Sequence, residues 1–175
     1  MVIGDPVVED TKVVSGNIIA RNDLPKTTFS KSQIEKQYRP ELSFFRNSGT
    51  IRFELANNKR SVMLTMRPAT QEKNANGRPI YDNQSSITMS LKQTDLQSLI
   101  YFMRYAPEIE KIEPVKLYHK RENDSKCLSM KYNTDNGTFN ISLDGKSKAW
   151  ITLSSQEILG IELLLSHLFL VILGF

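Results

Sequence analysis

Two short stretches put cations and aromatic rings on the same side of an extended backbone. In "VKLYHKR" (115–121), Lys116, Tyr118 and Lys120 alternate with Val115 and Leu117. In "SKAWITL" (147–153), Lys148 and Trp150, the only tryptophan in the chain, alternate with Ala149, Ile151 and Leu153. Single-stranded nucleic acid offers unpaired bases with open faces and a chain of phosphates. An aromatic side chain stacks on such a base for about 1–3 kcal/mol, and lysines track the phosphates. Binding of that kind releases counterions and weakens as salt rises. The same composition also describes a sheet that docks another protein, with Trp150 covered by a partner. From the pattern alone the two readings weigh equally.

Catalytic patterns are sparse. His119 and His167 have no second His, Cys or carboxylate at ligand spacing, so the residues imply no metal and no cofactor. Cys127 has no neighbouring base that would make it a nucleophile. The acidic residues are scattered singly, without the paired carboxylates of a metal-dependent nuclease. The glycines of "NANG" and "DNG" read as turns rather than as a phosphate loop. These features point away from an enzyme.

The elements that position the cations and rings can be read from hydrophobic period. Beyond a polar, irregular arm (1–37), the chain reads as short strands: "ELSFFRN", "GTIRFELA" and "SVMLTMR". "PATQEKNANGRPIYDNQ" reads as a long mobile loop and "SSITMSL" as a fourth strand. Helical spacing takes over in "TDLQSLIYFMRYAPE", with Leu96, Leu99, Ile100 and Met103 on one face and Thr94 with Gln97 as its capping box. The second half repeats the plan. "VKLYHKR" and "KCLSMKYN" form a hairpin, "DNG" turns into "TFNISLD", "SKAWITL" follows, and Ser154 with Glu157 caps a last helix. Met89-Ser90-Leu91 and Asp95-Leu96 align without a gap on Ile151-Thr152-Leu153 and Glu157-Ile158. The predicted architecture is α+β, four strands and a helix, twice over.

Alternation then sorts each strand. Ile51, Phe53, Leu55, Val62, Leu64, Met66, Ile87, Met89, Leu91, Phe139, Ile141, Leu143, Ile151 and Leu153 form the predicted core. The opposite phase carries Arg52, Arg67, Lys148 and Trp150. In "KCLSMKYN" one phase holds Cys127, Ser129 and Lys131, and the other Leu128, Met130 and Tyr132.

A length of 175 residues suits one domain with a sizeable core. The net charge of +4 is compatible with a polyanionic partner without demanding one. One cysteine excludes an intramolecular disulfide, and "MVIGDPVVEDTK" lacks the basic end and apolar run of a secretory signal, so the chain reads as intracellular. The tail "ILGIELLLSHLFLVILGF" (158–175) is apolar nearly all round but carries Glu162, Ser166 and His167. It reads as a helix buried in the core or in a subunit interface rather than as a membrane anchor.

Taken together, residues 38–175 resemble the Whirly family of single-stranded-DNA-binding proteins, whose plan is shared by kinetoplastid guide-RNA-binding proteins. "SVMLTMRPA" resembles the family's apolar strand ending in a Phe-Ala-Pro-Ala type sequence. "IYDNQSSITMSLKQTDLQSLI" resembles its Tyr-Asp-Trp stretch and following strand and helix, with Tyr81-Asp82 in place and Asn83 at the tryptophan position. "GTFNISLD" is similar to a Phe-Phe-Asn-Leu-Ser-Val strand, through Phe139, Asn140, Ile141 and Ser142. The family's last strand has an aromatic where Trp150 stands, and its last helix a His before a Leu-Leu-Gly-Trp type ending, similar to His167 and Leu173-Gly174-Phe175. The family's Lys-Gly-Lys-Ala motif has no copy in "IEKQYRPELSFF". These departures fit a divergent member from a phage or a bacterium.

The resemblance implies a homotetramer held through the C-terminal helix, with sheets radiating outward and no membrane. It implies a non-enzymatic, largely sequence-independent single-stranded-DNA-binding protein of replication, recombination or repair, acting in the cytoplasm or nucleoid. An RNA-binding or annealing factor of the same fold, or a protein-interaction assembly module, is the alternative. On this reading Tyr118, Tyr132 and Trp150 stack bases. Arg52, Arg67, Lys116, Lys120, Lys131 and Lys148 neutralise phosphates, and Phe44 and Arg46 extend the path.

Overall fold

The computed structural model of the protein describes residues 40–122 and 124–175; the expected arm (1–37) lies outside the described residues. The first sheet is antiparallel and contains β1 (Glu41–Arg46), β2 (Gly49–Leu55), β3 (Val62–Lys73) and β5 (Ile87–Leu91), in that spatial order. Helix α1 (Gln93–Tyr105) follows. The second sheet is a meander of β6 (Val115–Arg121), β7 (Asp124–Asn133), β8 (Thr138–Asp144) and β9 (Lys148–Ser154), and α2 (Ser155–Leu173) closes the chain. The doubled plan of four strands and a helix is therefore present.

Alternation explains why these strands form and which way they face. Phe44 lies opposite Ile51, Ile51 opposite Met66, and Met66 opposite Ile87, so one apolar row crosses the first sheet. Val115, Met130, Ile141 and Ile151 make the matching row across the second. Every residue of the predicted core is buried, in one hydrophobic cluster with Leu96, Leu99, Phe102 and Met103 of α1 and Ile158, Ile161, Leu165 and Leu168 of α2. Each such aliphatic or aromatic side chain contributes about 1.5–3 kcal/mol on burial. A one-residue slip in any strand would turn its apolar set to water, which is what fixes the register.

The stretch read as a long loop is instead largely a hairpin. β3 runs on past its pairing with β5, and its outer end pairs with a short added strand, β4 (Pro79–Tyr81). The Asn74 side chain accepts the amides of Asn76 and Arg78, each at 3.0 Å, and Asp82 accepts the Gln84 amide at 2.8 Å. Those local side-chain bonds build the turns that polar composition alone suggested were loose. The "DNG" turn is as expected: Gly137 takes φ +64°, and its amide donates to the Asn133 carbonyl at 3.0 Å.

The cap of helix α1 is Lys92, two residues before the expected Thr94. The Lys92 amide donates to the Asp95 carboxylate at 2.8 Å, so Asp95, not Gln97, closes the first turn. At the start of α2 the expected box is formed. Ser154 Oγ accepts the Glu157 amide at 3.4 Å, and Glu157 accepts the Ser154 amide at 2.9 Å. Burial pushes the Glu157 carboxyl up, but the Ser154 amide, the Arg46 guanidinium and the Ser154 hydroxyl outweigh it and hold it below the usual carboxylate range.

Helix α2 is apolar on two faces. One packs on the core; the other leaves Leu159, Leu163 and Leu170 exposed. Glu162, 6% exposed, is paired with Arg104 of α1 and accepts a hydrogen bond from Ser166 at 3.2 Å. By length and composition α2 is also long and apolar enough to cross a membrane.

Candidate nucleic-acid interface

The outer face of the second sheet collects most of the predicted site. Pairing sets its residues in rows running across the strands. Tyr118, Cys127, Asp144 and Lys148 make one row; Lys116, Ser129, Ser142 and Trp150 make the next; Lys131, Asn140 and Thr152 follow. Tyr118 (70% exposed) and Trp150 (51% exposed) therefore stand at opposite edges of a four-stranded sheet, one row apart and about 16 Å from each other at the usual strand spacing and rise. The floor between them holds the short side chains Cys127, Ser129 and Ser142, with Asp144 beside Cys127 and paired to Lys148. Two tall aromatic walls with a low floor between them form a shallow trough that runs along the strands.

Charge follows the same face. Lys116, Lys120 and Lys131 are exposed and have no carboxylate partner among the described residues. Lys148 is partly offset by Asp144 at 3.1 Å. Thr152 donates to Asn140 Oδ1 at 2.6 Å and fixes that amide beside Lys131. His119 faces the other way and lies 3.0 Å from Asp95, tying β6 to the start of α1.

Trp150 also borders a second feature. Arg46, Asn47 and Ser48 of the β1–β2 turn line a groove with Trp150 and Thr152, where the two sheets meet. The junction is tight at Gly49: a Cβ there would lie 2.6 Å from the Arg67 carbonyl oxygen and 3.3 Å from that of Trp150. The first contact, within the first sheet, requires glycine; the second shows how closely the Trp150 strand packs against the β1–β2 turn. Arg46 itself is committed to Glu157 at the start of α2, and it donates to the Phe45 carbonyl at 3.0 Å.

The first sheet treats its predicted cations differently. Arg52 and Arg67 are on its outer face, but Arg52 is paired with both Glu41 and Glu54, the latter at 2.8 Å. Arg67 has no carboxylate partner among the described residues.

Two predicted residues lie on the core side, away from either outer face. Tyr132 continues the inward phase of Leu128 and Met130, and its ring packs on Phe139 at a centroid distance of 4.8 Å. Phe44, opposite Ile51, packs partly buried against the core. The aromatic that β1 presents outward is Phe45, 60% exposed and 5.9 Å from the ring of Tyr81. Within "SFFR" composition cannot choose between two adjacent phenylalanines; the pairing of Phe44 with Ile51 decides it. Tyr81 was hidden because the β4 hairpin that carries it reads as loop.

No protein-family model matches the sequence, and no curated protein matches it. Solved structures do match. The chain superposes on the crystal structure of WHY1 from Arabidopsis thaliana with a TM-score of 0.58 and 13% identity, over 78% of this chain and 86% of that one. WHY3 from the same plant gives 0.57 and 15% identity, over 78% and 90%. The plant transcriptional regulator PBF-2 gives 0.55 and 16% identity, over 77% and 90%.

Proposed function

The chain has the Whirly fold, and we propose that it is a non-enzymatic single-stranded-nucleic-acid-binding protein whose ligand is single-stranded DNA. The observation that carries this reading is the outer face of the second sheet. Tyr118 and Trp150 rise at its two edges, and Lys116, Lys120 and Lys131 remain uncompensated around the floor between them. A duplex hides its base faces and is too stiff to lay them on two separated rings. A flexible single strand crossing the trough can stack one base on each ring while its phosphates meet the lysines. Contacts of this kind are largely indifferent to sequence, which suits a protein that covers exposed strands in replication, recombination or repair.

The exposed leucines of α2 support assembly, and we read the protein as a homotetramer joined through this helix. A membrane span would strip Ile158, Ile161, Leu165 and Leu168 from the core and bury Glu162 without Arg104, so a subunit interface is the better use of the second apolar face. Light scattering of the purified chain should return four copies, and substituting Leu159 and Leu163 by Gln should return fewer.

Fluorescence anisotropy with labelled oligo-dT, competed by unlabelled DNA, RNA and duplex of equal length, tests the ligand. Single-stranded DNA should compete best. Equal competition by duplex overturns the single-strand reading, and stronger competition by RNA moves the ligand to RNA.

A further inference from the structure

An open cleft of about 680 Å³ lies where the β2–β3 turn, the end of β5 and the start of α1 meet the last turn of α2. Arg60 and Ser61 come from the turn, Lys92, Gln93 and Thr94 from the cap and first turn of α1, and Ile172 from α2. None of the residues assigned above to strand binding lines it.

Three features give the cleft the chemistry of an anion site. The Gln93 and Thr94 amides, at the positive end of a 13-residue helix, have no acceptor among the described residues. Arg60 and Lys92 are exposed, and neither has a carboxylate partner among the described residues. Ser61 is only 7% exposed, lines the cleft, and has a hydroxyl without a hydrogen-bond partner among the described residues. Burial fixes that side chain, so its free hydroxyl is a donor that need not first be ordered.

The surroundings leave room for an added negative charge. Asp95 is turned to the Lys92 amide at 2.8 Å and to His119 at 3.0 Å. The last turn of α2, whose carbonyls would repel an anion, is closed by the Gly174 amide on Val171 at 3.2 Å and the Phe175 amide on Leu170 at 3.1 Å. The Asn58 side chain accepts the Arg60 amide at 2.9 Å and holds the turn that presents Arg60. Two cations, two helix amides and a hydroxyl suit a compact anion with several oxygens. A phosphate monoester brings three terminal oxygens and about −1.5 to −2 charge at neutral pH, more than a carboxylate or an internal diester offers.

We propose that this cleft binds a phosphate monoester, either the terminal phosphate of a nucleic-acid strand or that of a mononucleotide. The cleft stands without the second-sheet reading; only the strand-end source rests on it.

Inorganic phosphate is titrated into the full chain at constant ionic strength, with chloride as the control, and the Gln93 and Thr94 amides are followed by NMR. Phosphate should move both to saturation. The midpoint should rise roughly three- to tenfold in Arg60→Gln and in Lys92→Gln, whose exposed side chains are not needed for folding. Oligo-dT with a terminal phosphate and oligo-dT with a terminal hydroxyl, each labelled at the other end, are then compared by anisotropy. Tighter binding of the phosphorylated strand, lost in Lys92→Gln, assigns the strand end. Equal affinities, with thymidine monophosphate saturating the same amides, assign the mononucleotide. Amides that ignore phosphate, follow chloride equally, or respond alike in the parent and both variants overturn the cleft, whether or not strands bind. A chain that binds neither strand while its amides saturate with phosphate overturns the strand reading and keeps the cleft.

Discussion

The two sheets share one construction and differ on their outer faces. Each sets an apolar row toward a common core and ends in a helix whose first turn is closed by a carboxylate, Asp95 in one half and Glu157 in the other. The first sheet holds Arg52 between Glu41 and Glu54 and leaves only Arg67, of its two predicted cations, without a carboxylate among the described residues. The second leaves Lys116, Lys120 and Lys131 open and stands an aromatic at each edge. A duplicated framework can thus keep its core phase fixed while its outer phase diverges. The outer residues contribute little to folding and are free to specialise.

That division can be broken on the second sheet first. Replacing Tyr118 and Trp150 together by Ala should weaken oligo-dT binding by about 100-fold or more, since each stacked base is worth about 1–3 kcal/mol. The variant should unfold at a temperature close to the parent's, because both rings are outside the core. Equilibrium anisotropy and thermal unfolding check the two halves of this prediction. Changing Lys116, Lys120 and Lys131 to Gln should cost less, about tenfold at moderate salt. It should flatten the plot of log affinity against log salt by about 0.7 per lysine that contacts a phosphate.

The comparison can be sharpened on the first sheet. Substituting Glu41 and Glu54 by Gln releases Arg52 and makes that face resemble the second one. Affinity should rise several-fold, with a steeper salt dependence, whereas a fall would mean that the carboxylates hold Arg52 in a needed pose. The smallest effect concerns the helix cap. Glu157 is held below its unfolded value, so its stabilisation is present above about pH 4.3 and is lost as pH falls through the lower folded value. Glu157→Gln should cost about 1 kcal/mol at pH 7. The gap between parent and variant in thermal unfolding should close on acidification below pH 4.

How far the sequence discloses this depends on the kind of signal. Strands with strict alternation were legible because one phase is apolar throughout, as in "TFNISLD" and "SKAWITL". The internal repeat placed Asp95 opposite Glu157, and the structure uses both as caps, although Thr94 and Gln97 looked locally better. Tyr132 shows the limit: it shares the phase of Leu128 and Met130, and its packing on Phe139 shows that this phase, rather than its aromatic ring with a polar tip, decides its place under the sheet. Phe45, Tyr81 and the pairing of Arg52 were illegible because they depend on which strands are neighbours. Cross-strand contacts such as Glu41 with Arg52 join residues with no local signature.

The central claim is that a single strand lies across the second sheet and covers Trp150. The lone tryptophan reports on this directly. Titration of the protein with oligo-dT should quench its emission to saturation, with an affinity that falls steeply as salt is raised. Emission that stays unchanged while oligonucleotide is shown by anisotropy to bind, or a complete absence of binding at low salt, would contradict it.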